Sequence, residues 1–320
     1  MMNYENFKKR VMNEFLDYLP ERYADCELEI RKVPKMNECL TGIVIKPKSI
    51  KHSYCSPTFY MERMYDQYRD CGSFEKVMAN QAIYLEESLR YVPDDIAKVG
   101  LSSMMDRIVF QVVNTKKNQE MIKICPHRDF MDLSVVYRVI INIDDEGVSG
   151  YLITHDLAEV EDLSESLLYN LAMKNTKELF PLRYERIENT MFRIMKRCGT
   201  DDQDISDAFP DIDDVPDTQK VYVVSNRYEY FGSSALMYSE FIGEIAEKIG
   251  TDCYILPSSV HDLIVMSVES FGETAKLAQL VKSTNDEHVR PSDRLSDSVY
   301  VYSLNDGTIN RVEISMEEVS

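Results

Sequence analysis

The residues most suited to chemistry lie within one short run, Leu256-Pro257-Ser258-Ser259-Val260-His261-Asp262. Ser258 and Ser259 are hydroxyl nucleophiles in type, His261 is a base, and Asp262 could orient it. Spacing argues against that assembly. Catalytic triads usually draw their members from separate elements, because neighbours in one turn seldom point at a common centre. No GxSxG elbow occurs in the chain. The same side chains suit a structural turn, with a Ser hydroxyl on backbone groups and His261 on a carbonyl. A noncatalytic binding surface is the third use.

Two further groups could hold an anion. Pro126-His127-Arg128-Asp129, with Asp132 nearby, precedes an apolar strand pattern. His127 and Arg128 could grip a carboxylate, or form salt bridges within the chain. Asn226-Arg227 leads through Phe231-Gly232-Ser233-Ser234 from a strand to a helix. Such a turn can present a helix N-terminus to an anion, although the Lys of a P-loop and a GxGxxG spacing are both missing. Asp106-Arg107 with Asn114 reads as an ion pair and a cap.

Metal chemistry has no support in the spacing. The histidines, His52, His127, His155, His261 and His288, form no HExxH, and no Cys/His cluster has zinc spacing. No metal and no cofactor is expected. The cysteines are Cys26, Cys39, Cys55, Cys71, Cys125, Cys198 and Cys253, odd in number and widely spaced, which predicts buried free thiols in a reducing compartment.

The elements that must position these groups follow from periodicity. Phe7, Val11 and Phe15 predict an amphipathic helix over 4–19, too charged for a signal peptide. Residues 26–30 and 40–45 predict a hairpin, followed by helices over 61–68 and 74–85. Strands are expected at 108–113, 135–143 and 148–154, with a short charged helix over 114–124 and a longer one over 164–180. The C-terminal part reads as βαββ: a strand at 221–224, a helix over 233–249 ended by Gly250, and strands at 253–256 and 263–266. A helix over 272–283 and a hairpin, 299–302 with 308–314, close the chain. The expected class is α+β, with mainly antiparallel sheets covered by helices and two subdomains.

Residues 201–217 hold eight Asp, with Pro210 and Pro216. They predict an acidic linker, so the expected layout is 1–200, linker 201–219 and 220–320. The DIDDVPD stretch lacks the Gly and distal Glu of an EF-hand loop. Net charge is −19 over 320 residues. That disfavours general nucleic-acid binding and anionic membrane, and no apolar run spans a bilayer. A cytoplasmic protein is expected.

Several blocks carry a family resemblance. DRIVFQVVNTKKNQEMIKICPHRDFMDLSVVYRV, VYVVSNRYEYFGSSALMYSEFIGEIAEKIGTDCYILPSSVHDLIVM and RLSDSVYVYSLNDG resemble domain of unknown function 5688, found mainly in gut Firmicutes. SPTFYMERMYDQY also resembles that family's helix entry, and a more distant similarity is to domain of unknown function 1444. The family pattern at the turn is roughly LPSSVHE, so Asp262 stands where Glu is usual. The resemblance implies no reaction, and whether the chain is an enzyme stays open. A noncatalytic protein-interaction or regulatory module is the favoured reading, with a basic protein partner for the acidic linker. The alternatives are a hydrolase or transferase at 258–262, assisted by His127 and Arg128, and a small-anion or nucleotide binder at the Gly232 turn.

Overall fold

The computed structural model describes residues 1–47, 58–90, 101–144, 147–201, 215–270 and 274–313. The chain divides into two compact units, Met1–Ser103 and Met104–Ser320. Most of the Asp-rich stretch, His52 and Cys55 lie outside the described residues.

The first unit begins with α1 (Tyr4–Glu14), capped by the Asn3 side chain, which accepts from the Asn6 amide at 2.9 Å. The expected 4–19 helix tightens into a 3-10 turn at Phe15–Tyr18. A three-stranded antiparallel sheet follows, in the order β1 (Cys26–Lys35), β2 (Glu38–Pro47), β3 (Thr58–Tyr60). Helices α2 (Met61–Cys71) and α3 (Phe74–Arg90) complete the unit. Phe7, Val11 and Phe15 bury the stripe that their spacing predicts, against Phe59, Met64, Tyr68 and Phe74. Aromatic packing is close, with Phe7 stacked on Tyr68 at 5.2 Å between centroids.

The second unit opens with β4 (Ile108–Asn114), α4 (Gln119–Ile122), β5 (His127–Phe130), β6 (Leu133–Asp144) and β7 (Gly147–Leu152). Strand β6 pairs β4 on one side and both β5 and β7 on the other. His127 and Arg128 therefore lie within a strand, where the sequence pattern had put them just ahead of one. Next come α5 (His155–Val160) and α6 (Glu165–Leu179). Buried Asn175 fixes α6 to the start of β4 by donating to the carbonyls of Met105 (2.7 Å) and Ile108 (2.9 Å).

Two elements outside the sequence-based expectation follow, β8 (Leu182–Arg186) and α7 (Ile187–Arg197). Then come β9 (Val221–Asn226), a 3-10 turn at Gly232–Met237, α8 (Ser239–Ile249), β10 (Cys253–Leu256), β11 (Leu263–Ser267), α9 (Thr274–His288), β12 (Tyr300–Ser303) and β13 (Thr308–Arg311). They form a six-stranded antiparallel sheet in the order β13-β12-β10-β11-β9-β8. Strand β8 precedes the Asp-rich stretch yet pairs with β9 beyond it, so residues 182–186 and 221–226 share one sheet. The predicted 233–249 helix breaks at Tyr238, which leaves helical geometry to donate its buried hydroxyl to the Met173 carbonyl at 2.9 Å. Alternation sorts the sheet faces. Leu256 and Met266 pack with Leu277 and Val281 of α9, while α8 covers the opposite side of β11 and β12.

The α+β expectation holds: antiparallel sheets carry helices in both units. Among the described residues no helix is long and apolar enough to cross a membrane.

Asp132 joins the β5-β6 hairpin to the six-stranded sheet. Its carboxylate accepts from the hydroxyls of Ser296 (2.7 Å), Ser298 (3.0 Å) and Tyr300 (2.8 Å). Burial, then the Asp132 charge, pushes the Tyr300 phenol well above its ordinary range. Asp132→Ala leaves these three donors, two of them on buried residues, without their acceptor and should cost about 1–3 kcal/mol by urea denaturation, with Asp132→Asn costing less. A change of under about 0.5 kcal/mol would contradict the role.

Candidate functional site

Pairing register builds the floor of the site. Arg183 faces Ser225, and Glu185 faces Val223, across the β8-β9 ladder. With a period of two, these four side chains share one face. Helix α7 lies on the same two strands and brings Thr190, Arg193, Ile194 and Arg197 over that face, at helical spacing. The turn between β10 and β11 adds His261 and Asp262. The result is an open cleft with a cavity volume of about 120 Å³.

Its polar groups are tightly connected. The Glu229 carboxylate accepts from Arg183 Nη2 at 3.1 Å, from Arg193, and from Arg197 Nη1 at 3.5 Å. Arg193 also reaches Glu185, which takes a second bond from Thr190 Oγ1 at 2.9 Å. Three arginines and three carboxylates, Glu185, Glu229 and Asp262, therefore line the cleft, a balanced set in a strongly acidic chain.

The loop carrying Glu229 is held from beneath. Asn226 is fully buried; its Oδ1 accepts from the amides of Tyr228 (2.9 Å) and Tyr230 (3.4 Å), and its Nδ2 donates to the Tyr230 carbonyl. Glu229 and Phe231 both take left-handed φ, 53° and 58°, which costs about 1–2 kcal/mol for a residue with a Cβ. Asn226 is therefore a turn staple, while Arg227 is exposed and sits over the Tyr228 ring.

The Ser-His-Asp turn is welded to the end of β9. Ser225 Oγ donates to the His261 carbonyl at 2.7 Å, and Ser233 Oγ to the Val260 carbonyl at 2.9 Å. Inside the turn, Ser259 Oγ donates to Asp262 Oδ1 at 2.7 Å and accepts the His261 amide at 2.9 Å. Ser258 closes a bend through its amide to the Leu256 carbonyl. The His261 ring is placed otherwise: Nδ1 is buried with no partner, and Nε2 faces Asp293 at 3.9 Å. Burial lowers the His261 pKa, against the opposing pull of Asp293 and Asp262, so the ring is neutral near pH 7.

His127 and Arg128 belong elsewhere. Arg128 makes a two-pronged pair with Glu165, at 3.0 and 2.8 Å, and stacks 3.7 Å above the Tyr169 ring. His127 lines a second cleft with His155, Glu159 and Glu165, separate from the one at His261. Asp129 is exposed, and its Oδ1 accepts from Ser134. Asn114 caps the turn before α4 through the Lys117 amide at 2.9 Å, and Arg107 donates to the Ile141 carbonyl. No group of three or more His, Cys, Asp or Glu among the described residues could hold a metal ion.

The cysteines divide. Cys26, Cys125 and Cys253 are buried, with burial pushing the last two thiols up to about 12. Cys39, Cys71 and Cys198 are exposed, contrary to the all-buried expectation. Sequence reasoning missed Arg183, Glu185, Thr190, Arg193, Arg197 and Glu229. The usable signals were Arg183 and Glu185 two apart on a strand, and Arg193 and Arg197 four apart on a helix.

Fold and site together define a mixed α+β protein with a polar cleft at the edge of an antiparallel sheet. Residues 4–304 match the model of the family of unknown function DUF5688, and the chain belongs to that family. No curated protein matches it, and no solved structure does.

Gly232 is required by contact. A Cβ there would fall 2.2 Å from the His261 carbonyl oxygen and 2.7 Å from Ser225 Cα, both backbone atoms. Gly232→Ala should lose at least about 2 kcal/mol in urea denaturation; a loss below about 0.5 kcal/mol would sink the close-approach account. Glu165 supplies a pH test. Burial raises its pKa, but bonds from Arg128 and Tyr137 outweigh that and leave it lowered. A lowered carboxylate pKa adds stability above the unfolded value, about 4.3, that is lost as pH falls through the folded value. The urea midpoint should therefore drop more between pH 7 and acid for the parent chain than for Glu165→Gln. Equal drops would contradict the pairing.

Proposed function

We propose that this chain is a noncatalytic recognition module that binds a small polar ligand in the cleft beneath α7. The observation that carries the reading is convergence: guanidinium, carboxylate, hydroxyl and imidazole groups from four chain segments line one open cleft. A hydrolase or transferase at 258–262 is less well supported, because Ser259 directs its proton to Asp262 and its lone pair to a backbone amide. A regulatory role in the cytoplasm of a Firmicutes bacterium fits the acidic composition, the free thiols and the resemblance to domains of unknown function 5688 and 1444.

A thermal-shift panel of metabolites and nucleotides tests the reading. A ligand at about 100 times its dissociation constant stabilises by about 2.7 kcal/mol. The stabilisation should vanish in Ile194→Trp, which fills the cleft from a side chain 52% exposed. No shift from any compound, or an equal shift in that variant, would refute it.

A protein partner seated on α7 is the second reading, favoured by exposed Met191 and Ile194 on that helix. Its partner would present an apolar patch to those two side chains. A tagged chain should then recover such a protein at low salt, and Met191→Glu should lose it; equal recovery by the variant would remove this reading.

A further inference from the structure

We propose that the Glu229 carboxylate is a resident stand-in for the ligand's own anionic group, so that the cleft takes a carboxylate- or phosphate-bearing molecule that replaces Glu229 between Arg183, Arg193 and Arg197. This inference rests on the recognition reading and names its ligand class.

Three guanidinium groups from two elements address one carboxylate, where a structural salt bridge needs a single arginine. Arginine forks match the geometry of carboxylate and phosphate oxygens, so the position of the Glu229 oxygens marks an oxyanion site. Glu185 stays engaged by Thr190 and Arg193, and Asp262 by Ser259. With Glu229 withdrawn, three arginines face those two acids and one positive charge is left for an incoming anion. The cleft is open to solvent, with Thr190 and His261 among the residues that line it beside the arginines.

The exchange needs little rearrangement. Glu229 is partly exposed, with its side chain 39% accessible, and can rotate into water. Asn226 holds the backbone of its loop through three hydrogen bonds, so the loop need not unfold. Left-handed φ at Glu229 itself holds the side chain in a conformation uncommon for a residue with a Cβ, a feature enriched at ligand clamps.

Isothermal titration of the full chain with inorganic phosphate, and separately with succinate, tests this against sodium chloride of equal ionic strength. The parent chain should bind one of the two oxyanions at a single saturable site. Glu229→Gln should bind it at least about tenfold more tightly, since the internal competitor is gone, and Arg193→Met should abolish binding in both backgrounds. If Glu229→Gln folds poorly, Glu229→Asp, with a shorter reach to the arginines, should give an intermediate gain. Equal affinity in the parent and Glu229→Gln would overturn the stand-in role. Binding by Glu229→Gln alone would also overturn it, making the network purely structural. If neither oxyanion binds either protein, the ligand class is wrong; a panel compound that still stabilises the parent but not Ile194→Trp would leave the recognition reading standing.

Discussion

The close approach of Gly232 to the His261 carbonyl is the constraint on which the site depends. Two hydroxyls, from Ser225 and Ser233, clamp the backbone of the Ser-Ser-Val-His-Asp turn onto the end of β9. Only a residue without a side chain lets the chain pass at that distance. The clamp sets His261 and Asp262 at the lip of the cleft. It also fixes where the loop bearing Glu229 begins and ends, because Asn226 and Gly232 bracket that loop. Ser259, a nucleophile in type, uses its hydroxyl inside the same turn, on the Asp262 carboxylate and the His261 amide.

The Arg-Glu network is the second layer. None of its members is fully buried, so each ion pair by itself contributes little to stability, and solvent screens it. The network's value is geometric: it aligns α7, the edge strand β8 and the Glu229 loop on one centre. Partial exposure keeps that centre open to exchange with a ligand. The contrast with Arg128 is informative. That guanidinium is held by both oxygens of Glu165 and an aromatic face, and among the described residues Glu165 is shared with the Tyr137 hydroxyl and not with a set of arginines.

Much of the fold was legible because burial imposes period on sequence. The stripe Phe7, Val11, Phe15 and the alternation of the C-terminal strands led directly to observed elements. The Gly232 turn and the 257–262 turn were also correctly located. Strand β8 was not, since Leu182-Arg183-Tyr184-Glu185-Arg186 is polar on the cleft face and reads as a charged connector. Helix α7 did carry a helical pattern in Ile187, Met191 and Ile194, but buries none of it fully. The convergence itself had no local signal. Arg183 and Glu229 are 46 residues apart, and pairing of β8 with β9 alone brings them together. Asp132 was singled out for the wrong company, since its partners lie more than 160 residues away at Ser296, Ser298 and Tyr300.

The central claim is that the arginine cleft is a ligand site. Side-chain nitrogen NMR of the arginines, followed as phosphate or succinate is added, tests it most directly. The account predicts saturable shifts confined to Arg183, Arg193 and Arg197, with the His261 ring resonances moving in step. Shifts spread evenly over surface arginines such as Arg69 and Arg227, or no saturable shift at any arginine, would contradict it.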